Sequence, residues 1–172
     1  MSQRLPAQVD ALRLAEAGGH LVGDVPLAGL KRIVPLLESA AGSAQVELEF
    51  GRDAQGVAYV RSRIEAELRL VCQRCLEPMA YQVDAETLFG IVGSALETER
   101  LSEQYEPLVV SDRRLYIAEL VEDELLLSLP IVPKHPEDEC PAADRLAQAD
   151  EDADATDEKD NPFAVLSRLK DK

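Results

Sequence analysis

Residues 44–72 read AQVELEFGRDAQGVAYVRSRIEAELRLVC, and the period of that stretch decides the fold. Val46, Leu48 and Phe50 alternate with Gln45, Glu47 and Glu49. After the turn residues Asp53 to Gly56, a second run from Val57 to Cys72 sets Ile64, Ala66, Leu68 and Leu70 against Arg63, Glu65, Glu67 and Arg69. A period of two sends alternate side chains to opposite faces of a strand. The stretch therefore predicts an antiparallel hairpin with one buried and one charged face.

Working outward, Met79 to Val92 keeps the same period and predicts a third strand. The tetrapeptide Cys72-Gln73-Arg74-Cys75 then sits at a strand end, in a turn closed by Pro78. Residues 94 to 106 are charged and without pattern, a surface loop, and Leu108 to Val110 reads as a short strand. From Arg114 to Leu129, Ile117, Leu120, Val121, Leu125 and Leu127 recur with acidic residues between them, a helix that Pro130 stops. Ile131 to Cys140 is expected to be extended.

Upstream, His20 to Leu27 reads as extended. Pro26 to Glu38 places Leu27, Leu30, Ile33, Val34 and Leu37 at helical spacing, with Pro35 kinking or shortening the helix. Residues 5 to 17 mix apolar and charged positions and are expected to pair as an edge strand or wrap the surface. The sum is an α+β domain over residues 1–142: a small antiparallel sheet built on the hairpin, with one main helix packed on it.

Seven of the eleven residues from Asp150 to Asp160 are acidic, the composition of a solvated, self-repelling linker, here placed at 143–160. Beyond it, Asn161 can cap, Pro162 suits a first helical position, and Phe163, Leu166 and Leu169 share a face. Residues 161–172 thus predict a short amphipathic helix, which either docks back on the core or binds a partner.

The chain of 172 residues carries 33 acidic against 18 basic groups, a formal charge of −15. Such a charge repels a phosphate backbone and attracts basic proteins. Arg61, Arg63 and Arg69 on the hairpin form the one local patch that could face RNA. Three cysteines argue against a secreted disulfide framework. No apolar run of signal-peptide or membrane-spanning length occurs, so the expected location is the cytoplasm.

Cys72 and Cys75 can aim two sulfurs at one tetrahedral ion, and His135 and Cys140 supply a second half-site, a Cys3His set suited to zinc. Plain structural thiols are the competing reading. A redox role is disfavoured, because a strand rather than a helix follows the pair. Glu119, Glu122, Asp123 and Glu124 read as a solvated helix face and as a docking surface for a basic partner, with Mg2+ binding the less favoured alternative. No Gly-rich phosphate loop, nucleophile elbow or catalytic triad is present.

Three stretches together carry a family resemblance: CQRC with Glu77-Pro78, VEDELLLSLPIVP from Val121 to Pro133, and NPFAVL from Asn161 to Leu166; Tyr105-Glu106-Pro107 matches as well. Over about residues 44 to 170 the chain resembles the YceD family, large ribosomal RNA subunit accumulation proteins. The resemblance implies a bacterial, non-enzymatic ribosome biogenesis factor supporting synthesis, processing or stability of large-subunit (23S) rRNA. In other branches the segment matching Lys134 to Cys140 is richer in cysteine, with a cysteine near His135, an exchange that a zinc ligand tolerates. Joined to the charge, the resemblance implies a basic ribosomal protein or assembly factor as partner, with rRNA reached indirectly. The rival from another class is a thiol- or metal-dependent enzyme acting on RNA.

Overall fold

The computed structural model describes residues 4–142. The predicted linker at 143–160 and the predicted helix at 161–172, with Phe163, Leu166 and Leu169, lie outside the described residues. The fold is α+β.

Three long strands form its centre: β3 (Ser43–Arg52), β4 (Ala58–Val71) and β5 (Pro78–Val92), antiparallel neighbours in that order. Here β1 is Gln8–Asp10 and β2 is His20–Pro26; the latter joins the outer side of β3, antiparallel. On the far side β6 (Glu106–Val109) lies parallel to β5, pairing only Phe89 to Val92. The five-stranded sheet is therefore mixed, where an antiparallel one was expected. A separate two-stranded sheet joins β1 to β7 (Arg114–Tyr116).

The period of two holds along all of β4. Ala58, Val60, Ser62, Ile64, Ala66, Leu68 and Leu70 are buried, while Arg61, Arg63, Glu65, Glu67 and Arg69 are exposed. The buried face is covered by α1 (Ala11–Ala17), by α2 (Ile117–Ser128) and by the segment holding Leu27, Leu30 and Ile33. Leu48, Ile64, Leu68 and Leu125 are fully buried, each stabilising by about 1.5–3 kcal/mol. Ser62 interrupts this apolar row: its hydroxyl is buried and finds no hydrogen-bond partner among the described residues. Because an unpaired buried hydroxyl costs about 1–3 kcal/mol, Ser62→Ala is expected to raise the urea midpoint or leave it level, not lower it.

Four readings from sequence are corrected. The stretch from Pro26 to Glu38 is not a helix but two 3-10 turns, Leu27–Gly29 and Val34–Leu36. A 3-10 turn aligns i with i+3, so Leu27, Leu30 and Ile33 still share the core, and Pro35 ends any longer run. Residues 5 to 17 contain a strand that pairs outside the large sheet and then α1, capped by Asp10 accepting from Arg13 N–H at 2.9 Å and ended by left-handed Gly18. The helix expected from Arg114 begins at Ile117, after β7. A 3-10 turn, Ala95–Arg100, breaks the loop expected at 94–106. No helix among the described residues is long and apolar enough to cross a membrane.

Candidate metal centre

The turn between β4 and β5 is built to present sulfur. Cys72 N–H donates to Glu77 O at 2.9 Å and Leu76 N–H to Cys72 O at 2.8 Å, which folds the six residues back on themselves. That fold holds Leu76 at φ 63°, a left-handed conformation costly for a branched side chain. The folded turn brings the backbone N–H groups of Arg74 and Cys75 near enough to lower the Cys72 thiol pKa.

The segment after α2 is fastened against this turn. Gln73 N–H donates to Pro133 O at 2.8 Å. The guanidinium of Arg74 donates to the carbonyls of His135 and Pro136, at 3.0 and 3.3 Å, and its Nε to Cys140 Sγ at 3.0 Å. His135 N–H reaches Cys72 Sγ at 3.4 Å, and His135 Nδ1 lies 3.3 Å from Cys75 Sγ. All four predicted ligands therefore converge, their donor atoms within 4.8 Å of one another. A tetrahedral zinc with sulfurs about 2.3 Å away sets its donors about 3.8 Å apart, so the set fits such an ion after small adjustments.

The surroundings favour the deprotonated form of two of the four groups, Cys72 and Cys140. Burial pushes the Cys72 thiol up, but the N–H groups of Cys75, His135 and Arg74 outweigh it and bring the pKa to about 5. Burial likewise opposes ionisation of Cys140, yet Ala142 N–H and the Arg74 guanidinium hold it below the ordinary thiol value. Cys75, where burial prevails, stays above it. The Cys72 sulfur raises the His135 pKa, so the imidazole holds its proton more tightly and a metal ion bound there would have to displace it.

His135 Nε2 donates to Pro78 O at 3.3 Å, which leaves Nδ1 turned to the sulfurs. Arg74 would supply compensating charge: a divalent ion held by three thiolates and one imidazole would carry one net negative charge, and the guanidinium beside Cys140 would offset it. Arg74→Gln is expected to weaken zinc affinity by about 10–100-fold in competition with a chromogenic chelator, the range for lost outer-shell partners. Sequence reasoning missed this residue, although its place between the two cysteines was the signal.

The acidic residues of α2 separate into two kinds. Glu119 and Asp123 are exposed, but Glu122 and Glu124 are buried, which corrects the reading of a solvated face. Glu122 accepts from Arg32 N–H at 2.6 Å, Ile33 N–H at 3.2 Å and Arg32 Nε at 2.9 Å. Asp123 meets the same guanidinium at 2.7 Å, and Glu124 accepts from the Thr87 hydroxyl. Among the described residues these carboxylates form no group of ligand spacing.

Arg61 and Arg63 lie on the open face of the sheet between carboxylates. Arg61 is 3.4 Å from Glu86 and Arg63 is 2.8 Å from Glu65 and 3.4 Å from Asp84. Arg69 is exposed on the same face. His20 approaches Glu47 at 2.8 Å on the exposed surface.

Comparison with known proteins agrees with the resemblance carried by the motifs. No solved structure matches the chain. A family model described as "Large ribosomal RNA subunit accumulation protein YceD" matches residues 60–170. A protein of that name from Haemophilus influenzae is 31% identical over 170 residues, covering 98% of each chain, so the likeness takes in the N-terminal third as well. With the turn of Cys72 and Cys75, the segment of His135 and Cys140 and the helix between them all within that match, the chain belongs to the YceD family of large ribosomal RNA subunit accumulation proteins.

Proposed function

We propose that the chain acts by binding, as a non-enzymatic cytoplasmic factor that supports synthesis, processing or stability of large-subunit rRNA, with zinc at Cys72, Cys75, His135 and Cys140 holding its working form. The observation that carries this reading is the closed donor set. Protein atoms would supply all four positions around such an ion, whereas a catalytic zinc keeps one for water or substrate. Bound there, zinc supplies a cross-link. The chain's own residues do the rest: Arg74 balances charge, Pro78 O orients His135, and Gln73 pins the segment after α2 to the sheet.

The role in rRNA accumulation comes to this chain through the family and the named relative. A charge of −15 favours a basic ribosomal protein or assembly factor as the direct partner. The pairing of Arg61 and Arg63 with carboxylates supports an indirect path to RNA. The engagement of Glu122 and Asp123 by Arg32 counts against the rival enzyme, since those groups are not turned toward an open ion site.

In a strain lacking the protein, the full-length chain is expected to restore large-subunit rRNA, and the purified chain to leave that rRNA uncut in the presence of Mg2+. Mg2+-dependent cleavage, or tight and salt-sensitive binding of bare rRNA, would sink the proposal.

A further inference from the structure

A groove of about 950 Å³ runs between α2 and the stretch of β5 that β6 leaves unpaired. Among the described residues its walls carry the carboxylates of Asp84, Glu86, Glu106, Asp123 and Glu124 and no lysine or arginine. Three of these acids are answered from outside: Asp84 by Arg63, Glu86 by Arg61 and Asp123 by Arg32. Glu124 is different. It is only 7% exposed, and among the described residues its partner is the Thr87 hydroxyl, with no cation near. Glu122, buried to the same extent one half-turn away, has its arginine. A carboxylate that deep in the protein normally has a basic partner, because an unpaired buried charge is costly. Beside it, Leu127 stands 82% exposed and Leu88 and Leu126 line the same groove. The groove thus asks for a segment that is both apolar and basic.

We propose that residues 161–172 of this same chain fill the groove, setting Phe163, Leu166 and Leu169 against Leu126 and Leu127 and bringing Arg168 or Lys170 to Glu124. Three observations select this occupant. Its chemistry matches, since Arg168, Lys170 and Lys172 outnumber Asp171 next to the apolar triplet, and Lys170 follows Leu166 by one helical turn. Its tether matches too. The described chain ends at Ala142 beside the cysteine cluster, and the groove opens six residues along β5 from Pro78, about 20 Å at strand rise. Eighteen linker residues would reach about 23 Å as a neutral flexible coil and further where their like charges repel, which is enough to cover that span. Charge, finally, orders the segment: the acidic run 150–160 is repelled by the groove's carboxylates and the basic end beyond it is drawn in.

The chain contains no tryptophan, so Phe163→Trp in the full-length protein provides a single reporter. Its emission is expected to be blue-shifted and shielded from acrylamide at every protein concentration. Leu127→Asp and, separately, Glu124→Gln should each shift the emission toward that of the denatured chain, and Arg168→Glu/Lys170→Glu should release it. Leu96→Asp, at an equally exposed site away from the groove, should leave it in place. Circular dichroism and urea midpoints of each variant show that the groove itself is still folded. Emission like that of the denatured chain in the otherwise unaltered Phe163→Trp protein overturns the proposal, including the case where added ribosomal protein then turns it blue. A blue shift that grows with concentration gives the groove to a second copy and overturns it as well. So does one that survives both Leu127→Asp and Glu124→Gln.

Discussion

Glu122→Ala is expected to lower the unfolding free energy by about 3 kcal/mol, measured by urea denaturation at neutral pH. The carboxylate is buried and serves three donors at once, the Arg32 and Ile33 backbone N–H groups and the Arg32 guanidinium. Alanine would leave the two N–H groups facing a void in the core, while the half-exposed guanidinium could turn to water. Most of the loss therefore comes from the backbone donors. Glu122→Gln, which keeps one acceptor oxygen, should lose distinctly less.

The same site predicts a pH dependence. Burial alone would raise the Glu122 pKa, but the Arg32 side chain and the two N–H groups hold it below the ordinary glutamate value. The unfolded chain then binds a proton more readily than the folded one, so this contribution is fully present above the unfolded value of about 4.3. It is lost as pH falls through the lower folded value. Comparing urea midpoints of the natural chain and Glu122→Gln across this range should show the natural chain losing its advantage on acidification. A gap that does not narrow would mean that the carboxylate is not held ionised.

The second large effect is expected at the cysteines. Cys72→Ser/Cys75→Ser should abolish zinc binding measured by atomic emission on the native protein, and should fail to restore large-subunit rRNA in the deletion strain. The natural chain should carry one zinc, and its thiols should react with a disulfide reagent only after chelation. Zinc loss with full rescue of rRNA would separate the metal from the function. Rescue lost together with protein abundance would make the cluster a support of the fold, and rescue lost at normal abundance would place the working surface beside it. A chain that contains no zinc and whose thiols react freely would refute the metal reading.

How far these features could be read from sequence depended on the length over which a pattern repeats. β3, β4 and β5 are each ten or more residues long and alternate along all of β4 and most of β3 and β5, so the period of two was unambiguous. The four-residue β6 carries no period, and nothing local distinguishes a parallel neighbour from an antiparallel one. Between Leu27 and Leu37 the helical and 3-10 repeats share their i, i+3 pairs, so apolar spacing found Leu27, Leu30 and Ile33 in the core, but Val34 and Leu37 are only half-buried and the element was named wrongly. The Cys3His set was legible because the two half-sites have recognisable spacings. The burial of Glu122 was not, because its partner Arg32 lies 90 positions away and a charged residue on a helix reads by default as facing water.

The two-stranded sheet has a consequence for how the molecule assembles. β2 to β5 pair with their neighbours in sequence, so that meander closes short loops and can form early. β1 and β7 come from opposite ends of the described chain, and Arg113 seals the junction against Asp10. Loop closure for that pair is repaid only once the meander and α2 stand in place. The N-terminal segment is thus expected to dock last, and native-state hydrogen exchange should find its amides opening before those of the meander. The covering of the core by α1 can then open as a unit while the cysteine cluster, at the far end of β4, stays shut.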